Sequence, residues 1–266
     1  MFLFTPMVRN LLIINLLVFM LQTFISSIDL TKLLGLHSVL SIHFQPFQLL
    51  TNIFVHGNFG HLFSNMIGLL VFGSMLEEYI GAKKFLILYL VAGYGACVLY
   101  AGVDFWELYS LKTSTEEFMQ NPHPEIFGRF VSEFFPNYIY DTELYKFVQE
   151  TYPSAPQDIQ LISFAKRYVA YIYDLIINNS YLIGASGAVF GLMMGAMLLF
   201  PDREMLLIFF PFFPIKLKYL IATYAAWEIY SLIQNRSNDN VAHFVHITGM
   251  LFGFIIIKYW QRKGIV

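Results

Sequence analysis

Cysteine is almost missing: Cys97 stands alone, which excludes an internal disulfide framework. Charge is scarce too. Asp, Glu, Lys and Arg form 13% of the 266 residues, where an ordinary globular domain carries about a quarter. Hydrophobic residues reach 57%, so lipid rather than water is the main solvent. The two signs of charge nearly cancel, to a net −2, which excludes the basic footprint of a nucleic-acid binder. No Ala-x-Ala site follows the apolar stretch Leu11–Ile25, so that stretch reads as a retained first span rather than a cleaved signal peptide. His-Glu-x-x-His is absent, and so is an internal repeat of the kind transporters are built from.

A membrane-spanning helix needs about 20 mainly apolar residues. Six stretches qualify or come near: Leu11–Ser26, His61–Leu76, Phe85–Val103, Leu182–Phe200, Tyr219–Ile233 and His243–Trp260. The expectation is an all-α polytopic membrane protein, a bundle of six transmembrane helices. Phe209–Pro214, with two prolines, reads as an interfacial loop before the fifth span. Lys and Arg sit near the N-terminus (Arg9), between spans two and three (Lys83, Lys84), between four and five (Arg203, Lys216, Lys218) and at the C-terminus (Arg262, Lys263). Those places share one side of a six-span chain, which puts both termini in the cytoplasm. The chain then divides into residues 1–103 with spans one to three, an acidic extra-membrane insert at 104–180, and residues 181–266 with spans four to six. Within the insert, Thr142–Thr151 and Gln157–Ile177 read as helical, the second with an apolar face of Ile159, Ile162, Ala165, Val169 and Ile172. A helical cap and a solvated spacer are both open readings of it.

Polar side chains inside spans are expensive, so each is a functional candidate. Span two opens with His61 and Asn65, four apart and on one helix face. Span four opens with Gly184-Ala185-Ser186-Gly187, and span six with His243 and His246. All three openings fall at the non-cytoplasmic side. Gly187, Gly191 and Gly195 on span four, and Gly249 and Gly253 on span six, form ladders that let helix backbones approach closely. Close approach is what a serine hydroxyl needs to reach an imidazole on a neighbouring helix. Ser186 and His246 are therefore a candidate nucleophile and base. His61, Asn65 and the Ser186 backbone N–H are candidate oxyanion donors. Taken singly, a serine between glycines or an intramembrane asparagine usually only packs; four such groups at one depth are another matter.

These motifs resemble those of the rhomboid intramembrane serine proteases. His61-Leu62-Phe63-Ser64-Asn65 resembles the family's His-x-x-x-Asn, Gly184-Ala185-Ser186-Gly187 its Gly-x-Ser-Gly, and His246 to Gly253 its His-x-x-Gly-x-x-x-Gly. Glu77 to Gly81 is similar to its Glu-x-x-x-Gly. The resemblance covers about Phe44 to Ala101 and Tyr181 to Trp260, not the insert. It implies Ser186 as nucleophile, His246 as general base, and His61 and Asn65 as oxyanion stabilisers. It further implies that Gly184 permits the approach before the serine, that Phe190 packs on the catalytic imidazole, that Gly249 and Gly253 set the register, and that Glu77 holds fold rather than chemistry. Pro46-Phe47-Gln48 stands where the family often has Trp-Arg.

The reaction so implied is hydrolysis of a peptide bond in or beside a transmembrane segment of a protein substrate, through an acyl-enzyme. No Asp to orient the imidazole is evident in the sequence, so a Ser-His dyad is expected, with no cofactor and no metal. Activity should rise through the histidine titration near neutral pH. The bilayer is the working medium; a bacterial inner membrane, with the insert and the site's mouth outside, is the expected location. Two readings from other classes stand beside this one. A histidine-rich metalloprotein would use His56, His61, His243 and His246 as ligands. A non-catalytic rhomboid-like protein would bind membrane proteins without cutting them.

Overall fold

The structure is a computed structural model that describes residues 4–25, 27–207, 210–234 and 240–266. The chain forms two compact units. The first comprises Met1–Leu36, Gln45–Ala101 and Tyr181–Val266; the second His37–Phe44 and Gly102–Ser180.

Among the described residues, six long helices enter the first unit, labelled α1 to α6. They are α1 (Pro6–Phe24), α2 (Phe59–Ile80), α3 (Ala82–Gln120), α4 (Ser186–Leu199), α5 (Leu217–Ile233) and α6 (Asn240–Arg262). The first three and Ala242–Arg262 within α6 are long and apolar enough to cross a bilayer. The other two are shorter, with 14 and 17 residues, or about 21 and 26 Å against a hydrocarbon core of about 30 Å. The reason α4 starts late is Gly184, whose φ of +118° lies outside what a side-chain-bearing residue adopts readily. Leu182, expected inside the span, lies in a two-residue strand before that break.

The outward face of α1 shows why lipid suits it. Ile13, Ile14, Leu16 and Leu17 are exposed, while Val8, Leu11 and Asn15 face the bundle. α2 starts where the Asn58 side chain accepts the His61 N–H at 2.9 Å, an N-cap. It stops at Gly81, with φ +80°. Between Leu199 and α5 the chain does not form an irregular loop. It turns back as an antiparallel hairpin, β1 (Glu204–Leu207) with β2 (Phe210–Lys216), pairing Glu204 with Lys216 and Met205 with Ile215. The expected interfacial loop is thus mostly strand; Phe209 lies outside the described residues.

One end of the unit is tied together by contacts among four segments. Glu77, 4% exposed, accepts from the Met7 and Val8 N–H groups at 2.9 and 2.8 Å and from the Thr5 hydroxyl at 2.5 Å. A carboxylate there satisfies orphan donors at the start of α1 and faces its positive end. Tyr79 meets Phe200 edge-on at 5.0 Å, and the Lys84 ammonium donates to the Ile265 carbonyl at 2.8 Å. The N-terminus, the α2–α3 turn, the end of α4 and the C-terminus therefore share one end, the end where the basic residues gather.

α4 is the centre of the bundle. On one side its glycines lie against α6, where a Cβ on Gly249 or Gly253 would fall 2.1 or 2.4 Å from the carbonyl oxygen of Gly187 or Gly191. On the other side it meets α3, where a Cβ on Gly191 would meet the Ala92 methyl. Small residues on both faces let three backbones pack almost in contact.

The second unit has its own core. Phe118, Phe127, Phe130, Val131, Tyr152, Ala165, Val169 and Ile172 are at most 1% exposed. Its helices start on ordinary signals: Pro124 at the first turn of Pro124–Phe134, and Asp141 and Asp158 accepting from N–H groups two and three residues on. Ser41 and Ile42 donate to the Asn178 side chain at 2.9 and 3.2 Å, fixing the short segment 37–44. Thus the segment is packed rather than a solvated spacer. Ile159, expected on the buried face of its helix, is 82% exposed because it is the first residue of that helix, ahead of the face that packs. α3 also runs past Val103 to Gln120, where Asn121-Pro122 stops it. Nothing between 104 and 120 breaks a helix, and Lys112 and Glu116 approach to 3.9 Å one turn apart.

Candidate active site

The opening of α4 is shaped by a backbone that only glycine allows. The Gly184 N–H donates to the Asn52 carbonyl at 3.0 Å. A Cβ at this position would lie 2.6 Å from His61 Nε2 and 3.8 Å from Asn65 Nδ2. The first two turns of α2 therefore press two side-chain donors against the residue two places before Ser186. Asn65 is 5% exposed, and its buried Nδ2 has no hydrogen-bond partner. Ser186 itself is half-buried at the first position of α4, where backbone N–H groups have no partner inside the helix.

His246 approaches from α6. The Gly187–Gly249 contact brings the start of α4 against this helix one turn from the imidazole. The ring lies flat on Phe190, with centroids 4.0 Å apart and 8° between planes. That stack fixes the plane of the ring. No hydrogen bond joins Ser186 Oγ to His246 among the described residues; such pairs are often loose until substrate binds.

The structure adds an acid that the sequence reading lacked. Glu228, 6% exposed on α5, places Oε2 2.5 Å from His243 Nδ1 and 3.2 Å from His246 Nδ1. The first is a good hydrogen bond. The second is within ion-pair distance but off the hydrogen-bonding direction, so His246 Nδ1 lacks a hydrogen-bond partner. Glu228 sits inside the fifth apolar stretch, and an acid within a span is itself a signal. Among the described residues, no Asp stands beside the imidazole, but a Glu does.

The other histidines divide. His56 meets His61 edge-on at 5.1 Å. Burial, helped by the nearby His61 charge, pushes its pKa down to about 4. Among the described residues, the donor atoms that converge are those of Glu228, His243 and His246, not the four imidazoles of the metalloprotein reading. Gln48, in the Pro46-Phe47-Gln48 stretch, is buried and donates to the Leu33 carbonyl at 3.2 Å, closing the loop between α1 and α2. Glu77 lies at the opposite end, capping α1 as described above.

Comparison with known proteins agrees with the motifs. The family model of the rhomboid domain matches residues 43–107 and 159–263. A curated relative, "RHOMBOID-like protein 12, mitochondrial" of Arabidopsis thaliana, is 37% identical over 82 residues. That match covers 31% of this chain and 21% of the relative. No solved structure matches. With apolar helices long enough to span a bilayer and the domain model matched over more than half of its length, this integral membrane protein belongs to the rhomboid family.

Proposed function

We propose that the protein is an intramembrane serine endopeptidase that cleaves transmembrane segments of other proteins near the outer membrane face. The observation that supports this is the Gly187–Gly249 backbone contact, which brings the start of α4 against α6, together with His246 stacked on Phe190. Ser186 Oγ attacks the scissile carbonyl as its proton passes to His246 Nε2, giving a tetrahedral oxyanion. The oxyanion takes hydrogen bonds from His61, Asn65 and the Ser186 N–H. Asn65 Nδ2 has no competing partner to give up. Collapse expels the amine, which receives the proton from His246, and water then resolves the acyl-enzyme by the same route. Glu228 lies on the Nδ1 side of the ring and leaves Nε2 available to the serine. It acts as a positioning residue. Gly249 and Gly253 hold the register, and Gly184 admits the His61 ring.

The basic end of the bundle faces the cytoplasm with both termini, so the mouth and the 104–180 insert lie outside. A bacterial inner membrane fits this orientation. The test is cleavage of a transmembrane reporter in proteoliposomes. Wild type cuts, while Ser186→Ala and His246→Ala lose at least about a thousandfold. Cleavage by Ser186→Ala at the wild-type rate would remove the nucleophile. Reporter binding without cleavage by wild type would favour a non-catalytic member of the family.

A further inference from the structure

The buried triplet Glu228, His243 and His246 is richer than a positioning acid requires. One carboxylate oxygen and one ring nitrogen from each histidine lie within 4.8 Å of one another. Only one of the two imidazole contacts is a hydrogen bond, and the second nitrogen is buried without a partner. The rings stand nearly perpendicular, 86° apart with centroids at 6.4 Å, so their lone pairs meet at an angle instead of stacking.

We propose that these three residues form a binding site for a borderline-soft divalent metal, of which Zn²⁺ is the best match, and that the ion switches the hydrolase off. The effect on activity rests on His246 being the base; the binding site does not. Two imidazoles and one carboxylate are a common zinc donor set, with a fourth position left for water. In a tetrahedral site with bonds of about 2.0–2.2 Å, donor atoms sit about 3.3 Å apart. The Glu228–His246 separation of 3.2 Å already meets this, and the Glu228–His243 pair must open from 2.5 Å by less than 1 Å. The carboxylate is charged opposite to the ion, and a bound metal would give the unpartnered His246 Nδ1 an acceptor for its lone pair. A harder cation such as Mg²⁺ prefers all-oxygen donors and is a poor match.

The switch follows from tautomers. A neutral imidazole carries one proton. In the catalytic form that proton is on Nδ1, facing Glu228, and Nε2 has the lone pair that receives the serine proton. A metal on Nδ1 needs the lone pair there, so the ring's proton moves to Nε2. Nε2 is then a donor and cannot accept from Ser186. No bond of the substrate is involved, and removal of the ion restores the active tautomer.

The test uses full-length protein in detergent with Co²⁺ as the optical stand-in for Zn²⁺. Wild type and Ser186→Ala should each bind one Co²⁺ per chain, with visible bands that Zn²⁺ displaces. His243→Asn should weaken binding at least about tenfold. Zn²⁺ should block labelling of wild type by a fluorophosphonate, and a chelator should restore it. Zn²⁺ at the same concentration should leave the labelling rate of His243→Asn at that variant's own metal-free value. Absence of Co²⁺ bands, equal binding by His243→Asn, or wild-type labelling untouched by saturating Zn²⁺ would overturn the proposal. If metal-free wild type does not label at all, the hydrolase reading fails, while the Co²⁺ titration still decides the metal site.

Discussion

Gly249→Ala tests whether backbone contact between α4 and α6 places the serine. The added Cβ would fall 2.1 Å from the Gly187 carbonyl oxygen, 2.8 Å from its carbon and 3.0 Å from its Cα. Carbon and carbonyl oxygen ordinarily approach no closer than about 3.3 Å, so the helices must part by roughly 1 Å. The atoms struck belong to backbone and have no rotamer to escape into. Overpacking of this kind costs about 1–3 kcal/mol. Its effect on chemistry is larger, because the displaced residue is bonded to Ser186, and a misplacement of 1 Å costs about a hundredfold in rate. The assay is the second-order rate of fluorophosphonate labelling on monodisperse protein, with thermal unfolding measured in parallel. Gly102→Ala is the control, since nothing lies within 4 Å of a Cβ there. The expected result is a labelling rate down about a hundredfold for Gly249→Ala and unchanged for Gly102→Ala. Wild-type kinetics and unfolding temperature in Gly249→Ala would refute the idea that this contact sets the site.

Other outcomes follow from the same geometry. Gly184→Ala should slow labelling at least about a hundredfold, because the backbone holds φ +118° and His61 Nε2 stands 2.6 Å from the new carbon. Equal rates would show that the approach of His61 does not matter. Glu77→Ala removes the acceptor for three donors at the start of α1; it should destabilise by about 1–3 kcal/mol while the folded fraction labels normally. A labelling defect in protein that melts like wild type would contradict a purely structural role. His56 has a folded pKa near 4 against an ordinary value of 6.5. The unfolded chain therefore binds more protons between those values, and His56 weakens the fold as pH falls from about 6.5 toward 4. Chemical denaturation of His56→Gln should show a flatter loss of stability over that window, and parallel curves would exclude the histidine as a source.

Much of the site could be read in the sequence because its parts are local. The His61–Asn65 spacing, the glycines around Ser186 and the Gly249–Gly253 spacing after His246 each sit within one helix. The stack of Phe190 on His246 is present as the family resemblance implied. Glu228 was harder, since its meaning depends on α6 lying against α5, and no spacing within one helix encodes that. Its presence in an apolar stretch was the available signal. The limits of helices were harder to read: the second and third helices run on to Ile80 and Gln120, past the Leu76 and Val103 expected from apolar length. Gly81 and Asn121-Pro122 end helices cleanly, but the apolar run from Tyr181 continues through Gly184, and only backbone geometry shows α4 beginning at Ser186. The hairpin after Leu199 was hidden by two prolines, which exclude helix but do not exclude strand at an edge. In the second unit the periodic residues Ala165, Val169 and Ile172 are buried. The aromatic partners that bury them come from up to about fifty residues away and leave no trace in the local pattern.

Mass-spectrometric mapping of a fluorophosphonate adduct on metal-free protein bears most directly on the central claim. One adduct per chain on the peptide carrying Ser186, lost in His246→Ala and retained in His43→Ala, is the predicted result. An adduct on another residue, or undiminished labelling of Ser186 without His246, would contradict it.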